Sequence, residues 1–399
     1  MKTKKKAPII RIKGFDDDWK RRKLGAYVNI ISGESPSKFE EGTELYVKVD
    51  DLNYNSKYVV DTQNKVAEHR TIQKVVKGSV VFPKRGAAIM TNKVRILGID
   101  SYMDTNMMAL TSDDLDSEFL FNIISKEGLY KIADTSTIPQ INNKHIEPYD
   151  LLIPSLDEQK QIGEYFKQFD HLITLHQREI DRIVYLRKAM VEKLFPQNGA
   201  DVPAVRFSRY KEPWRLCQFS EIFTERHIID TISDEYPQLA FTIEEGVIRP
   251  EDKKTNKRDF LIIDKATKKY LQTEYDDIIY NPANVIYGAI HRNALGKGCV
   301  SPIYKIFYTD QDSTFMECIV RHPNFIKEIS RSMEGTVKKL RTLKPKAFLE
   351  MSAYIAPTIE EQRQIGEYFR QMDRLIEIEK EELEKIKHIK SACLEKMFV

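Results

Sequence analysis

The chain has 399 residues, 41% hydrophobic and 31% charged, enough for two or three domains with an extensive charged surface. Its 63 basic residues nearly balance 60 acidic ones, for a net charge of +3, so any surface for nucleic acid has to be a local patch. No apolar run approaches the roughly 18 residues of a membrane span, and no apolar core follows the basic start at 1–6 as a signal peptide requires. Cys217, Cys299, Cys318 and Cys393 form no Cys-x-x-Cys pair, which argues against a zinc site or disulfide frame and for a reducing cytoplasm.

In chain order, the sequence is written twice. Pro8-Ile9-Ile10-Arg11-Ile12 leads to Phe15 and Trp19-Lys20, and Pro203-Ala204-Val205-Arg206-Phe207 leads to Tyr210 and Trp214-Arg215 with the same spacing. After the first opening come strand-like runs at 45–49, 79–82 and 93–99, rich in Val, Ile and Tyr, and a helical stretch Ser117–Glu127. After the second come runs at 277–280, 284–290 and 303–308 and a helical stretch at 324–332. Turns punctuate both, as at Pro83-Lys84-Arg85-Gly86 and Gly296-Lys297-Gly298.

Each middle gives way to a long helix. Pro154-Ser155-Leu156-Asp157-Glu158-Gln159 continues into Gln161-Ile162-Gly163-Glu164-Tyr165-Phe166-Lys167-Gln168-Phe169-Asp170. Pro357-Thr358-Ile359-Glu360-Glu361-Gln362 continues into the same ten residues at Gln364 to Asp373, changed only to Arg370 and Met372. Ser155 with Glu158, and Thr358 with Glu361, have the spacing of a capping box. Apolar residues follow at steps of four and three: Ile162, Phe166, Phe169, Ile173, Ile180, Ile183, Met190 and Leu194. The second copy gives Ile365, Phe369, Met372, Ile376, Leu383, Ile386, Cys393 and Met397, so both are coiled-coil seams on helices about 55–60 Å long. Gly163 and Gly366 recur inside these helices at a cost of about 1 kcal/mol each, which predicts another backbone passing close by. The ends of each half are constant and the middles diverge. A scaffold with two different recognition surfaces has that layout; drift after duplication would not spare the helices so selectively.

The chemistry of most enzymes is missing. There is no Walker loop, no Gly-x-Gly-x-x-Gly after a strand, no His/Cys cluster at metal spacing and no Asn/Asp-Pro-Pro site of an adenine methyltransferase; Asn281-Pro282-Ala283 reads as a turn. No catalytic or metal-ligating residues are assigned. What is present is cationic: Lys84 and Arg85 on a turn, Lys253, Lys254, Lys257 and Arg258, then Arg292 with Lys297, and Lys338, Lys339, Arg341, Lys344 and Lys346. Asn92, Asn284 and Asn293 lie nearby. Lys and Arg on loops suit phosphates, and Arg with Asn can read base edges, so Lys84, Arg85, Asn92, Asn284, Arg292 and Lys297 are the candidate DNA-binding residues.

The twice-written Pro-[Ser/Thr]-x-x-Glu-Gln-x-Gln-Ile-Gly-Glu-Tyr-Phe-x-Gln-x-Asp, the paired Arg…Trp openings and the two variable middles before two helices resemble the specificity subunit of type I restriction–modification enzymes. The resemblance covers essentially the whole chain. It implies an α+β protein with an internal pseudo-two-fold duplication: target recognition domains at 1–150 and 200–355, and spacer helices at 151–199 and 356–399 that pair as an antiparallel coiled coil. Each recognition domain would read one half of a split double-stranded DNA target, and partner subunits would methylate adenine or restrict. Two modification subunits would bind S-adenosylmethionine, restriction subunits ATP and Mg²⁺, and this chain no cofactor. The competing readings are a duplicated coiled-coil adaptor that tethers two proteins without DNA, and a stand-alone nuclease.

An antiparallel pairing with matched ends sets Ile162 against Met397, Phe166 against Cys393, Ile173 against Ile386, Ile183 against Ile376 and Leu194 against Ile365, with Phe369 facing Met190. His176 and Glu379 then fall in neighbouring layers, where a buried polar pair would fix the register; the alternative is that both point to solvent.

Overall fold

The structure is a computed structural model, and it describes residues 7–53, 56–197, 199–253, 268–333 and 341–399. The chain divides into two compact units, one formed by Met1–Arg178 with Lys380–Val399 and the other by Glu179–Glu379. These units cut across the boundaries expected from sequence, because each long helix is shared between them.

In the first unit a five-stranded sheet has the order Asn29–Ser32, Met107–Thr111, Val80–Pro83, Arg95–Leu97 and Tyr58–Val59. Alternation sorts its side chains. Val80, Phe82, Ile96, Met108 and Leu110 enter one cluster with the helix Ser117–Glu127 (α1), and Val81, Leu97, Met107 and Ala109 enter another with Val47, Leu52 and Val75. Both faces are covered, which is why the central strand Val80–Pro83 is apolar and buried throughout. Asp116 caps α1 by accepting from the Phe119 amide at 2.9 Å. The run at 79–82 is matched in length by Val80–Pro83, whereas the run at 93–99 keeps only Arg95–Leu97 in the ladder.

The second unit holds a four-stranded sheet of Thr224–Glu225, Lys305–Tyr308, Ile278–Tyr280 and Ile290–Arg292, with a three-stranded one of Ile229–Asp230, Tyr270–Thr273 and Gly298–Val300. The strand expected at 284–290 is a correction: Val285–Tyr287 is a 3-10 turn ended by Gly288 at φ 89°, and pairing resumes at Ile290. A glycine at that φ turns the chain where a β-branched residue would be strained. Asp312 caps the helix Ser313–Val320 through the Phe315 amide, again at 2.9 Å.

The long helices are Leu156–Leu194 (α2) and Ile359–Met397 (α3), each 39 residues and so about 58 Å long. A short antiparallel pair precedes each: Lys20–Lys23 with Asp150–Ile153, and Arg215–Gln218 with Ser352–Ile355. The recurrent glycines meet something other than the backbone expected. A Cβ at Gly163 would run into the Asp116 carboxylate, and one at Gly366 into that of Asp312. Each helix is notched to admit the capping side chain of the helix packed on it.

Candidate nucleic-acid interface

The duplicated residues build the same frame in each unit. Arg11 donates twice to the Glu158 carboxylate, at 2.8 Å to each oxygen, and Trp19 Nε1 donates to Glu158 Oε1 at 3.3 Å. In the other unit Arg206 donates to Glu361 at 2.7 and 2.8 Å, and Trp214 Nε1 at 3.3 Å. The two carboxylates are 1% and 0% exposed. The capping boxes are therefore only half formed: the Glu158 and Glu361 amides reach Ser155 and Thr358 at 3.4 and 3.3 Å, but the carboxylates turn to Arg and Trp. An ion pair with the guanidinium outweighs a single backbone N–H as partner. The adjacent glutamines tie the middles down. Gln159 accepts from the Asp116 amide, and Gln362 from that of Asp312, at 3.1 and 3.2 Å.

The helices pair antiparallel inside each unit. In the first, Ile162, Phe166, Met397 and Phe398 share one buried cluster with Cys393 against it, and the Tyr165 hydroxyl lies 3.7 Å from Cys393 Sγ. Ile173 and Ile386 are half-buried. In the second, Ile183, Leu194, Ile365, Phe369 and Ile376 are buried, and the Phe195 and Phe369 rings lie tilted at 30° with centroids 6.2 Å apart. Each helix ends on a phenylalanine beside a tryptophan, Phe398 at 6.3 Å from Trp19 and Phe195 at 5.8 Å from Trp214. Charged pairs cross the helices at equivalent places: Asp170 with Lys390, and Asp373 with Arg187 at 2.5 Å. Neither pair was singled out in the sequence, where His176 and Glu379 held that role. Those two are half-buried and belong to different units, and His176 lies close enough to Glu382 to help Lys385 lower its carboxyl pKa.

The six candidate contacts separate into free and engaged groups. Lys84 is half-buried and Arg85 exposed, on a turn held by Lys84 N to Asn106 O and Ile141 N to Lys84 O, each 2.8 Å. Neither side chain has an ion-pair partner among the described residues. Burial pushes the Lys84 pKa down, against the opposing pull of Glu34 and Asp104. The Asn284 side-chain amide is also unengaged among the described residues.

The other three side chains are engaged within the protein. Asn92 sits in the left-handed region at φ 50° and staples the end of α1: it donates to Ser125 O at 2.7 Å and accepts from Leu129 N at 3.0 Å. Arg292 donates to Asp276 at 2.8 Å, lies 3.6 Å from Glu317, and is only 12% exposed. Lys297 is exposed but paired with Glu235, over the Tyr236 ring. Asn293 is buried, its amide donating to Thr273, Glu274 and Gly296. Lys254, Lys257, Arg258, Lys338 and Lys339 lie outside the described residues.

One surface was overlooked. Gln161, Glu164, Tyr165 and Gln168 are exposed on α2 and recur as Gln364, Glu367, Tyr368 and Gln371 on α3. Packing accounts for the identity of Ile162, Gly163 and Phe166, but not for that of Glu164 with Glu367 and Gln168 with Gln371, which are exposed in both copies, whereas Gln364 and Tyr368 are half-buried. In the first unit this row lines a groove of about 450 Å³ with Ile10, Arg11 and Met397. Among the described residues no His/Cys/Asp/Glu group is placed to hold a metal, and no helix is long and apolar enough to cross a membrane.

Residues 16–185 match the family described as type I restriction modification DNA specificity domain. The chain is 23% identical, over 95% of its length and 91% of the relative's, to the type I restriction enzyme MjaVIII specificity subunit of Methanocaldococcus jannaschii. Its fold is similar to a crystal structure of the type I restriction–modification S subunit from M. genitalium, with a TM-score of 0.61 and 15% identity over 98% of this chain and 99% of that one. A chain from a structure on complex assembly and conformational transition of the type I R-M system aligns with a TM-score of 0.53 and 16% identity, over 95% and 97% of the two chains.

Proposed function

From its membership of the family of type I restriction–modification specificity subunits, which the chain shares with these relatives, we propose that it recognises a split DNA target. One half would be read by each middle, directing adenine methylation or restriction by partner subunits. The observation that carries this is the frame: Arg11–Glu158–Trp19 and Arg206–Glu361–Trp214 are built alike, while the sheets they support differ. A constant mount with two different heads suits two independent readers. An adaptor that binds no DNA has no support from this family. A row written on both helices, exposed throughout on α2 and at Glu367 and Gln371 on α3, suits two copies of one partner, the modification subunit, with the restriction subunits joining that assembly. S-adenosylmethionine would then belong to the modification subunits, ATP and Mg²⁺ to the restriction subunits, and no cofactor to this chain. Four free cysteines fit work in the cytoplasm.

The test is an exchange. Replacing residues 15–150 with another middle of this family should change one half of the methylated motif and leave the other, read by methylation mapping in a host genome. A chimaera that alters both halves together would refute independent readers.

Within the first reader, Lys84 and Arg85 are the free cations suited to phosphates. Lys84→Ala with Arg85→Ala is expected to weaken DNA binding by about 1–3 kcal/mol and to flatten the salt dependence by about one to two ions, with assembly intact. A salt slope equal to the parent's would remove both from the interface.

A further inference from the structure

We propose that Lys57 is a positioning residue that fixes the angle of the first reader on its helix pair, and so sets how strictly the spacing between the two half-sites is held; this rests on the split-target reading above. Lys57 leads into the edge strand Tyr58–Val59 of the five-stranded sheet. Its ammonium pairs with Glu118 on α1 and with Asp170 Oδ2 on α2 at 2.7 Å, and the other Asp170 oxygen takes Lys390 of α3. The Tyr58 hydroxyl donates to the second oxygen of Glu118, and the Lys57 ammonium lies 4.7 Å from the centroid of the Phe121 ring. Four elements thus meet at one nearly buried, charge-balanced cluster, with Lys57 9% and Glu118 13% exposed. Without Lys57, the Glu118 carboxylate on α1 loses its ammonium, Asp170 on α2 keeps only Lys390, and the tie between the two helices is replaced by two like charges.

The duplication shows that this tie is not part of the shared mount. The crossing pair Asp170–Lys390 has its counterpart in Asp373–Arg187, but the second half ties its middle through Arg370, which reaches Asp312 at 3.1 Å and Thr314 at 2.9 Å. In the first half the residue matching Arg370 is Lys167, which pairs with Glu164 as Arg370 does with Glu367, but among the described residues it makes no ion pair to the helix packed on α2. Each reader is therefore pinned by its own device. One base pair moves a half-site by about 3.4 Å and turns it by about 35°, so a reader free to tilt accepts spacings that a pinned one rejects.

The experiment uses the full chain assembled with its modification subunits, and the split target that the parent methylates, with its spacing unchanged or altered by one base pair. Lys57→Met should cut the preference for the parent spacing about five-fold or more, and leave discrimination against mismatches within either half unchanged. Lys57→Arg should restore the preference. Asp170→Asn should act in the same direction, and the double variant Lys57→Met with Asp170→Asn should be no worse than Lys57→Met alone. In the chain by itself, in a Trp214→Phe background, Trp19 emission reports whether the unit is folded; if Lys57→Met unfolds it, Asp170→Asn carries the test by the same criteria. A parental spacing preference in the folded variants, or an equal loss on every spacing and mismatch, would overturn the proposal. A parent that methylates no split target would instead overturn the functional reading on which it rests.

Discussion

Phe398→Ala is expected to destabilise the unit containing Trp19 by about 3–5 kcal/mol, although the two residues stand near opposite ends of the sequence. The Phe398 ring is buried, with centroids 5.4 Å from Phe119, 5.8 Å from Phe166 and 6.3 Å from Trp19. Truncating it removes one wall of that aromatic cluster, and the cavity is closed in by α1, α2 and the opening segment. The backbone keeps the end of α3 from collapsing inward, because Ile10 N already donates to Lys396 O at 3.0 Å. The chain has only two tryptophans, so Trp214→Phe leaves Trp19 as sole reporter. The urea midpoint of its emission should fall well below that of the Trp214→Phe parent. An unchanged Trp19 midpoint would mean that the helix end does not seal this core.

Glu361→Ala is expected to cost the other unit a similar amount, about 3–5 kcal/mol, for a different reason. The carboxylate is fully buried and satisfies both Arg206 and Trp214. Its loss leaves a guanidinium, itself only 10% exposed, without its counter-ion, and an indole N–H without an acceptor. In a Trp19→Phe background, Trp214 emission reads the effect directly. Glu361→Gln should fall between parent and alanine, since the amide oxygen still accepts one of the three hydrogen bonds. A midpoint for Glu361→Ala within about 0.5 kcal/mol of the parent would show that the pair does not hold the mount together.

The amino-acid sequence by itself determined the helices. Their seams are local patterns, repeated every few residues and written twice, and α2 and α3 begin directly after Ser155 and Thr358. The antiparallel partners follow from the same seams: Ile162 and Met397 share a cluster, as matching the helix ends requires. α1 was legible over its full span for the same reason.

What the sequence could not decide is where the polar side chains end up. Glu158 and Arg11 are 147 residues apart, and their recurrence as Glu361 and Arg206 marked them as a set without showing that they touch. Asn92 and Arg292 looked like free contacts because each stands beside a turn, yet the folded chain brings Ser125 and Leu129 to one, and Asp276 and Glu317 to the other. Lys57 and Asp170, 113 residues apart, gave no local signal at all. Apolar periodicity is written into the helix that uses it. A charge or an amide is committed by whichever partner the rest of the fold delivers, and only the tertiary structure separates Lys84 and Arg85, without an ion-pair partner among the described residues, from the cations engaged by the protein's own carboxylates.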